Sequence, residues 1–249
     1  ADLSYHNPYM SPFDEMQRLK THPVIKNVLE GGKRISYGAR ALTKGGLNSL
    51  PKFTFPGGVL VGDDAGFLNP AKIKGTHTSM KSGMLAAEAI FEAVQADRQH
   101  DEVVAYTTMY KESWLYQDNY ESRNFSPAIH RMGLFMGGAF TFIEHNLLKG
   151  KMPFTLHDNL PDYDQLERAN HAYQPTYLKP DGKLVFDKLS SVFISNTNHA
   201  EDQPTHLKLT DPTVPISINL PLYAEPARLY CPAGVYEVVK DAEGAKFVI

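Results

Sequence analysis

The stretch GVLVGDDAGFLNPAKIKGTHTSMKSGMLAAEAIF, Gly58 to Phe91, joins a short apolar run to a loop rich in Gly, Asn and Pro, and then to a segment built largely of small residues. Val59-Leu60-Val61 predicts a short buried strand. Gly62 lets the chain turn with no side chain in the way. Asp63 at the strand exit offers a carboxylate that accepts hydrogen bonds, as from a polyol. Gly66, Asn69 and Pro70 shape the loop, and Gly75-Thr76-His77-Thr78 opens a helix that runs to Val94. The first N–H groups of such a helix have no intrahelical partner and suit an anion or the electron-rich edge of a ring. Ser79, Ser82, Gly83, Ala86 and Ala87 are small, so this helix can lie close to a sheet. The turn has the shape of a cofactor cradle. A glycine-rich strand–loop–helix junction without a ligand shows the same pattern, and the residues alone leave both readings open. No GxGxxG is present, so the phosphate-binding first turn of a dinucleotide fold is not among these residues.

Working outward, 249 residues suffice for one large or two smaller domains, and 42% hydrophobic with 21% charged residues is a globular composition. A net charge of −3 and the lack of a basic block argue against a general nucleic-acid binder. The single cysteine, Cys231, rules out a disulfide within the chain and a complete cysteine-ligated metal or iron–sulfur site from this chain alone. The N-terminus carries no signal-peptide pattern, and no apolar run reaches the ~18 residues of a membrane-spanning helix. The chain opens ADLSYHNPYM without an initiator Met and closes with a strand-like run, Lys246 to Ile249. It reads as a fragment of a longer protein, with a processed chain as the alternative.

Ser11 and Pro12 predict a capped helix start, with Asp14 and Glu15 in the first turn and an end before Pro23. A turn at Gly31-Gly32 leads to an expected strand, Lys33 to Ala39, and KFTFPGGVLVG reads as two short strands broken at Pro56-Gly57-Gly58. VVAYTTMYKESWLYQDNYESRNF is helical in its spacing. Beyond Gly150 prolines break the chain into short pieces, with KLVFDKLSSVFIS and HLKLTDP the best strand candidates and a domain boundary near residue 150. MGLFMGGAFTFI, Met132 to Ile143, is uncharged and flanked by His130, Arg131, Lys149 and Lys151. A core helix and a segment dipping into one leaflet both fit it. His199, Glu201, Asp202 and His206 have no trusted ligand spacing and read as a hydrogen-bonded loop. A lone Cys231 is by itself more often a buried structural thiol, and no nucleophilic triad stands out.

PGGVLVGDDAGFLNPAKIKGTHTSMKSGMLAAEAIF strongly resembles the electron transfer flavoprotein–ubiquinone oxidoreductase family, as do NPYMSPFDEMQRLKTHP, EGGKRISYGARAL, YLKPDGKLVFDKLSSVFISNTNHAEDQPTHL and RLYCPAGVYEVV. The matches run in order over nearly the whole chain. The resemblance implies an α+β / α/β fold: part of an FAD-binding Rossmann-like flavoprotein fold plus a ferredoxin-like iron–sulfur cluster domain. It implies that residues 1–56 end a ubiquinone-binding domain and that 57–150 are a returning FAD segment with an interfacial membrane segment near 132–148. Residues 151–249 are then a truncated [4Fe-4S] domain. The activity implied is that of a membrane-associated oxidoreductase passing electrons from reduced electron transfer flavoprotein, via a [4Fe-4S] cluster and FAD, to ubiquinone. It would sit as a monotopic protein on the matrix face of the mitochondrial inner membrane or on a bacterial cytoplasmic membrane.

By the same resemblance Gly62, Asp63, Gly66, Asn69, Gly75, Thr76, His77 and Thr78 line FAD, whose pyrimidine edge suits the helix start. Cys231 is the first of four cluster ligands, and Tyr236 lies beside the cluster and hydrogen-bonds it. The family's other three cluster cysteines, its first Rossmann strand and a glycine pair at its quinone head group fall outside this chain. Asp63-Asp64 stands where some relatives have Cys-Ser. A lone thiolate cannot hold a cubane, so the isolated chain is expected to be inactive. Another FAD-dependent reductase or hydroxylase of the same superfamily, and a cofactor-free inactive fragment, are the rival readings. CPAGVYE argues against the first.

Overall fold

Local chemistry sets the first helix. The Ser11 hydroxyl accepts the Asp14 N–H at 3.3 Å, Pro12 opens α1 (Pro12–Lys20), and acidic and basic residues sit at its N- and C-terminal turns. Each suits the helix dipole. Pro23 then starts α2 (Pro23–Leu29). These helices belong to a computed structural model that describes residues 5–158, 160–204, 208–242 and 244–249. It divides into two compact units, one of Leu3–Ala41 with Leu160–Ile249 and the other of Leu42–Asn159.

In the first unit the strand expected from Lys33 to Ala39 does not form. Among the described residues no neighbouring strand supplies a ladder, and side chains fix the segment instead. Arg34 donates to the hydroxyls of Ser191 (2.7 Å) and Ser190 (3.2 Å), and the Tyr37 hydroxyl donates to the Pro232 carbonyl at 3.0 Å. KLVFDKLSSVFIS is likewise not a strand. Asp187 accepts the Ser190 N–H at 2.7 Å and caps a helix over Lys188–Phe193. A capping aspartate followed by serines outcompetes the alternation that suggests a strand. Of HLKLTDP, His206 and Leu207 lie outside the described residues, and residues 208–212 carry no strand. A π-helical turn, Pro215–Asn219, leads through the short helices Leu220–Tyr223 and Ala227–Tyr230 into an antiparallel hairpin of Glu237–Asp241 and Gly244–Val248. The strand expected at the C-terminal end is the second arm of this hairpin.

In the second unit β1 (Thr54–Phe55) pairs with β2 (Gly58–Val59) across Pro56-Gly57, as the glycines predict, with Gly57 at φ 76°. The apolar run stops pairing at Val59, and Gly62–Ala65 forms α3, so Asp63 sits in the first turn of a short helix rather than at the end of a strand. Then come α4 (Thr76–Gln95), α5 (Val104–Glu112), α6 (Trp114–Glu121) and α7 (Phe125–Asn146). The small residues of α4 serve packing: Ser82, Ala86, Ala89 and Ala93 are buried. They meet a core in which Phe53 lies edge-on to Phe67, Tyr106 and Tyr110 with ring centroids 5.4, 5.2 and 5.3 Å apart, a spacing typical of such pairs. α7 kinks at Gly133, whose φ of 72° and ψ of 177° are not helical. The remaining labels follow in chain order: α8 is Lys188–Phe193, α9 Leu220–Tyr223, α10 Ala227–Tyr230, β3 Glu237–Asp241 and β4 Gly244–Val248. Both hairpins are antiparallel, and the content is mixed α and β.

Candidate cofactor sites

The loop before α4 is built by close backbone approach. Gly62 is buried at φ 62°, and its N–H donates to the Ser82 hydroxyl at 2.9 Å. A Cβ there would lie 3.1 Å from the Ser79 hydroxyl oxygen. Gly66 ends α3 in the left-handed region at φ 85°. Gly75 is the N-cap of α4 and supplies no side-chain cap; a Cβ on it would meet Asp63 Oδ1 at 2.8 Å. The exposed Asp63 carboxylate therefore stands at the mouth of the helix. Thr76 is exposed, while Thr78 is buried and its hydroxyl donates to the Gly75 carbonyl at 2.8 Å.

Asn69 faces the interior. Its amide nitrogen donates to Asp118 Oδ2 at 2.8 Å and to the Asp118 carbonyl at 3.2 Å, and its Oδ1 accepts the Lys72 N–H at 3.1 Å. Asp118 also receives Lys72 Nζ, and His77 Nε2 lies 3.5 Å from it with the imidazole stacked on Trp114. Burial would raise the Asp118 pKa, but the bonds from Lys72, Asn69 and His77 outweigh it and hold the carboxyl below its ordinary value. Asp118 was not singled out from the sequence. It lies 49 residues from Asn69, and only its place on a helix is readable locally.

In the first unit Cys231 caps the end of α10 and is 7% exposed. Its Sγ accepts the Val235 N–H at 3.4 Å, and its own N–H donates to the Ala227 carbonyl at 3.2 Å. Lys188 Nζ donates to the Cys231 carbonyl at 2.9 Å and reaches the Leu229 carbonyl at 3.5 Å. Burial lowers the Lys188 pKa, opposed by the charges of Asp14 and Cys231. Burial raises Tyr37 and Tyr230; Cys231 adds to both, and in Tyr230 it follows Tyr236 and Glu225. Tyr236 stacks on Phe247 with centroids 5.8 Å apart and meets Tyr230 edge-on. A cavity of about 800 Å³, lined by Tyr37, Arg40, Ser195, His199, Pro232 and Val235, adjoins this turn. Lys188, Tyr37 and Tyr230 escaped the sequence reading, because nothing local ties α8 or the segment after α2 to CPAGVYE.

His199 lines that cavity, but among the described residues no group of three or more His, Cys, Asp and Glu side chains is placed to hold a metal ion; His206 lies outside them. α7 bears an apolar exposed stripe at and beyond its kink, with Leu134 73%, Phe135 89% and Phe142 64% exposed. No helix among the described residues is long and apolar enough to cross a membrane.

Cys231 offers one buried sulfur that accepts a backbone N–H, and the two ends of the first unit match family models of one class, an oxidoreductase family with 4Fe-4S and ubiquinone-binding domains. Residues 182–249 match the family model described as electron transfer flavoprotein-ubiquinone oxidoreductase, 4Fe-4S, and residues 1–42 match that described as ETF-QO, ubiquinone-binding. The chain belongs to the electron transfer flavoprotein–ubiquinone oxidoreductase family, as a C-terminal portion. It is 63% identical over 246 residues to the electron transfer flavoprotein-ubiquinone oxidoreductase of Pseudomonas aeruginosa, with 98% of this chain and 45% of that protein covered. It is 59% identical to the probable enzyme of Acinetobacter baylyi (99% and 46% covered) and 48% identical to the mitochondrial one of Oryza sativa (97% and 41% covered). The chain thus spans less than half the length of the curated relatives it matches.

Proposed function

We propose that this chain is the cluster-bearing and quinone-facing portion of an oxidoreductase that passes electrons from reduced electron transfer flavoprotein to ubiquinone. The observation that carries the reading is the setting of Cys231: a buried sulfur that accepts a backbone N–H in a turn whose next residues line an open cavity. The residues fit one corner of a [4Fe-4S] cubane, which needs three further thiolates. When bound, the cluster moves single electrons and FAD couples one- and two-electron steps, while ubiquinone takes up two electrons and two protons. The chain's own part is to bind and orient. Cys231 supplies a ligand, the Val235 N–H and the nearby Tyr236 stabilise negative charge on sulfur, and residues 1–56 contribute to the quinone domain.

In residues 57–150 the uncapped start of α4, the Asp63 carboxylate and the bare backbone at Gly62 and Gly75 fit the polar edge and ribityl chain of FAD. Gly66 shapes the turn, and Thr76, His77 and Thr78 present the helix's first N–H groups. Asn69 acts through the loop it ties to Asp118. The exposed apolar stripe of α7, within 132–148, suits insertion into one leaflet, with the basic flanks toward head groups. Such a protein sits on the membrane that holds its quinone: the mitochondrial inner membrane or a bacterial cytoplasmic membrane.

The test is made on the full-length natural protein. Wild type is expected to contain iron, acid-labile sulfide and FAD and to give a reduced-cluster EPR signal. Cys231→Ser should lose or strongly alter that signal while FAD stays bound. An unaltered signal in Cys231→Ser would refute the ligand assignment.

A further inference from the structure

Lys188 is the first residue of α8, and three separate features fix its side chain. Its Nζ donates to the carbonyls of Cys231 and Leu229. Its stem lies under the turn that follows Cys231: a Cβ on Gly234, itself at φ 66°, would come within 3.4 Å of Lys188 Cδ. The Phe13 ring faces the ammonium, with its centroid at 5.9 Å. Among the described residues no carboxylate lies within ion-pair distance of Lys188; Asp14 acts on it only at longer range, and Asp187 is engaged with Ser190. An ammonium held by neutral carbonyls has no counter-charge bonded to it, and partial burial spares it much of the screening that a surface lysine meets.

We propose that Lys188 is an electrostatic positioning residue of the sulfur site: it holds the Cys231–Gly234 turn and raises the reduction potential of the group bound at Cys231. This rests on the reading of Cys231 as a cluster ligand. Reduction adds one negative charge to that group, and a fixed cation nearby favours the more negative state. A unit charge roughly 10 Å away, at an effective dielectric constant of about 20, shifts such an equilibrium by about tenfold.

The experiment is an EPR-monitored redox titration of the full-length holoprotein after iron and acid-labile sulfide have been counted. Lys188→Met keeps the stem and removes the charge; the reduced-to-oxidised ratio at a fixed potential should fall about tenfold, which for one electron is 59 mV. Lys188→Arg keeps the charge and should stay within about twofold of wild type. If Lys188→Met fails to fold, Lys188→Gln, neutral but still able to donate to the Cys231 carbonyl, carries the same expectation. A full cluster at wild-type potential in Lys188→Met or Lys188→Gln overturns the proposal. Equal shifts in the Met and Arg variants also overturn it, since bonding geometry rather than charge would then govern the site. Wild-type protein lacking iron and sulfide would instead remove the cluster reading, and this inference with it.

Discussion

Arg123 offers the sharpest test of what holds the second unit together. It is 2% exposed, and its guanidinium donates to the carbonyls of Tyr120 (2.8 Å), Gly150 (2.7 Å), Met152 (2.7 Å) and Phe154 (3.3 Å) and to the Thr155 hydroxyl (3.0 Å). It also lies over the Tyr120 ring, 3.8 Å from the centroid. The side chain thus clips the segment after α7 back onto the end of α6. Hydrogen bonds to a charged donor contribute about 1.5–3 kcal/mol each, and the cost of burying the charge offsets part of the sum. Truncation to alanine leaves several interior carbonyls without partners and opens a cavity. The expected loss is about 3–5 kcal/mol, or roughly 10 °C in Tm. Arg123→Lys keeps a charge but not the planar fork and should recover less than half of the loss. Trp114, the only tryptophan, lies in α6 of the same unit, so urea unfolding followed by its fluorescence reports on this unit directly. An alanine variant within about 1 kcal/mol of wild type would refute the clip, since surface-like substitutions fall in that range.

Three further expectations follow from the sites. Gly62→Ala forces a side chain into φ 62° and to within 3.1 Å of the Ser79 hydroxyl; it should cost about 1–2 kcal/mol and lower the FAD content of the purified protein, and unchanged flavin occupancy would count against the loop's role. Asp118 has a folded pKa held below its 3.8 reference, so its contribution to stability is complete above that value and is lost as pH falls through the folded value. Urea midpoints measured from pH 5 down to 2.5 should fall more steeply for wild type than for Asp118→Asn, and parallel curves would contradict the network. Leu134→Asp with Phe135→Asp places two charges on the exposed stripe of α7 and should weaken sedimentation with phospholipid vesicles at least tenfold, whereas full retention would remove α7 as the membrane contact.

What the sequence made legible was what its neighbours in the chain decide. Ser11-Pro12 and the acidic first turn specify α1, and the run from Thr76 specifies α4, because caps and helical spacing act within a few residues. Pro56-Gly57 specifies the β1–β2 turn for the same reason. The misread segments are those decided from afar or by competition. Lys33 to Ala39 has strand-like residues but no adjacent strand among the described residues, and Asp187 turns an alternating run into α8 by capping it. The sites follow the same division. Glycine positions around Gly62 and Gly75 could be read as a close-approach loop, whereas the inward direction of Asn69 depends on Asp118, and the groups around Cys231 come from residues 37, 188 and 230.

The first unit is discontinuous: residues up to Ala41 complete it only with Leu160–Ile249, while Leu42–Asn159 is one continuous stretch. On a translating ribosome that arrangement imposes an order in time. At about 5–20 residues per second, α1 and α2 wait roughly 6–24 s while the intervening unit is made, and still longer for α8 and α10. Phe13 and Gln17 of α1, both buried in the folded unit, spend that interval without Lys188 and Phe186, which they meet there, so a chaperone holding the nascent N-terminal segment has a defined window in which to act.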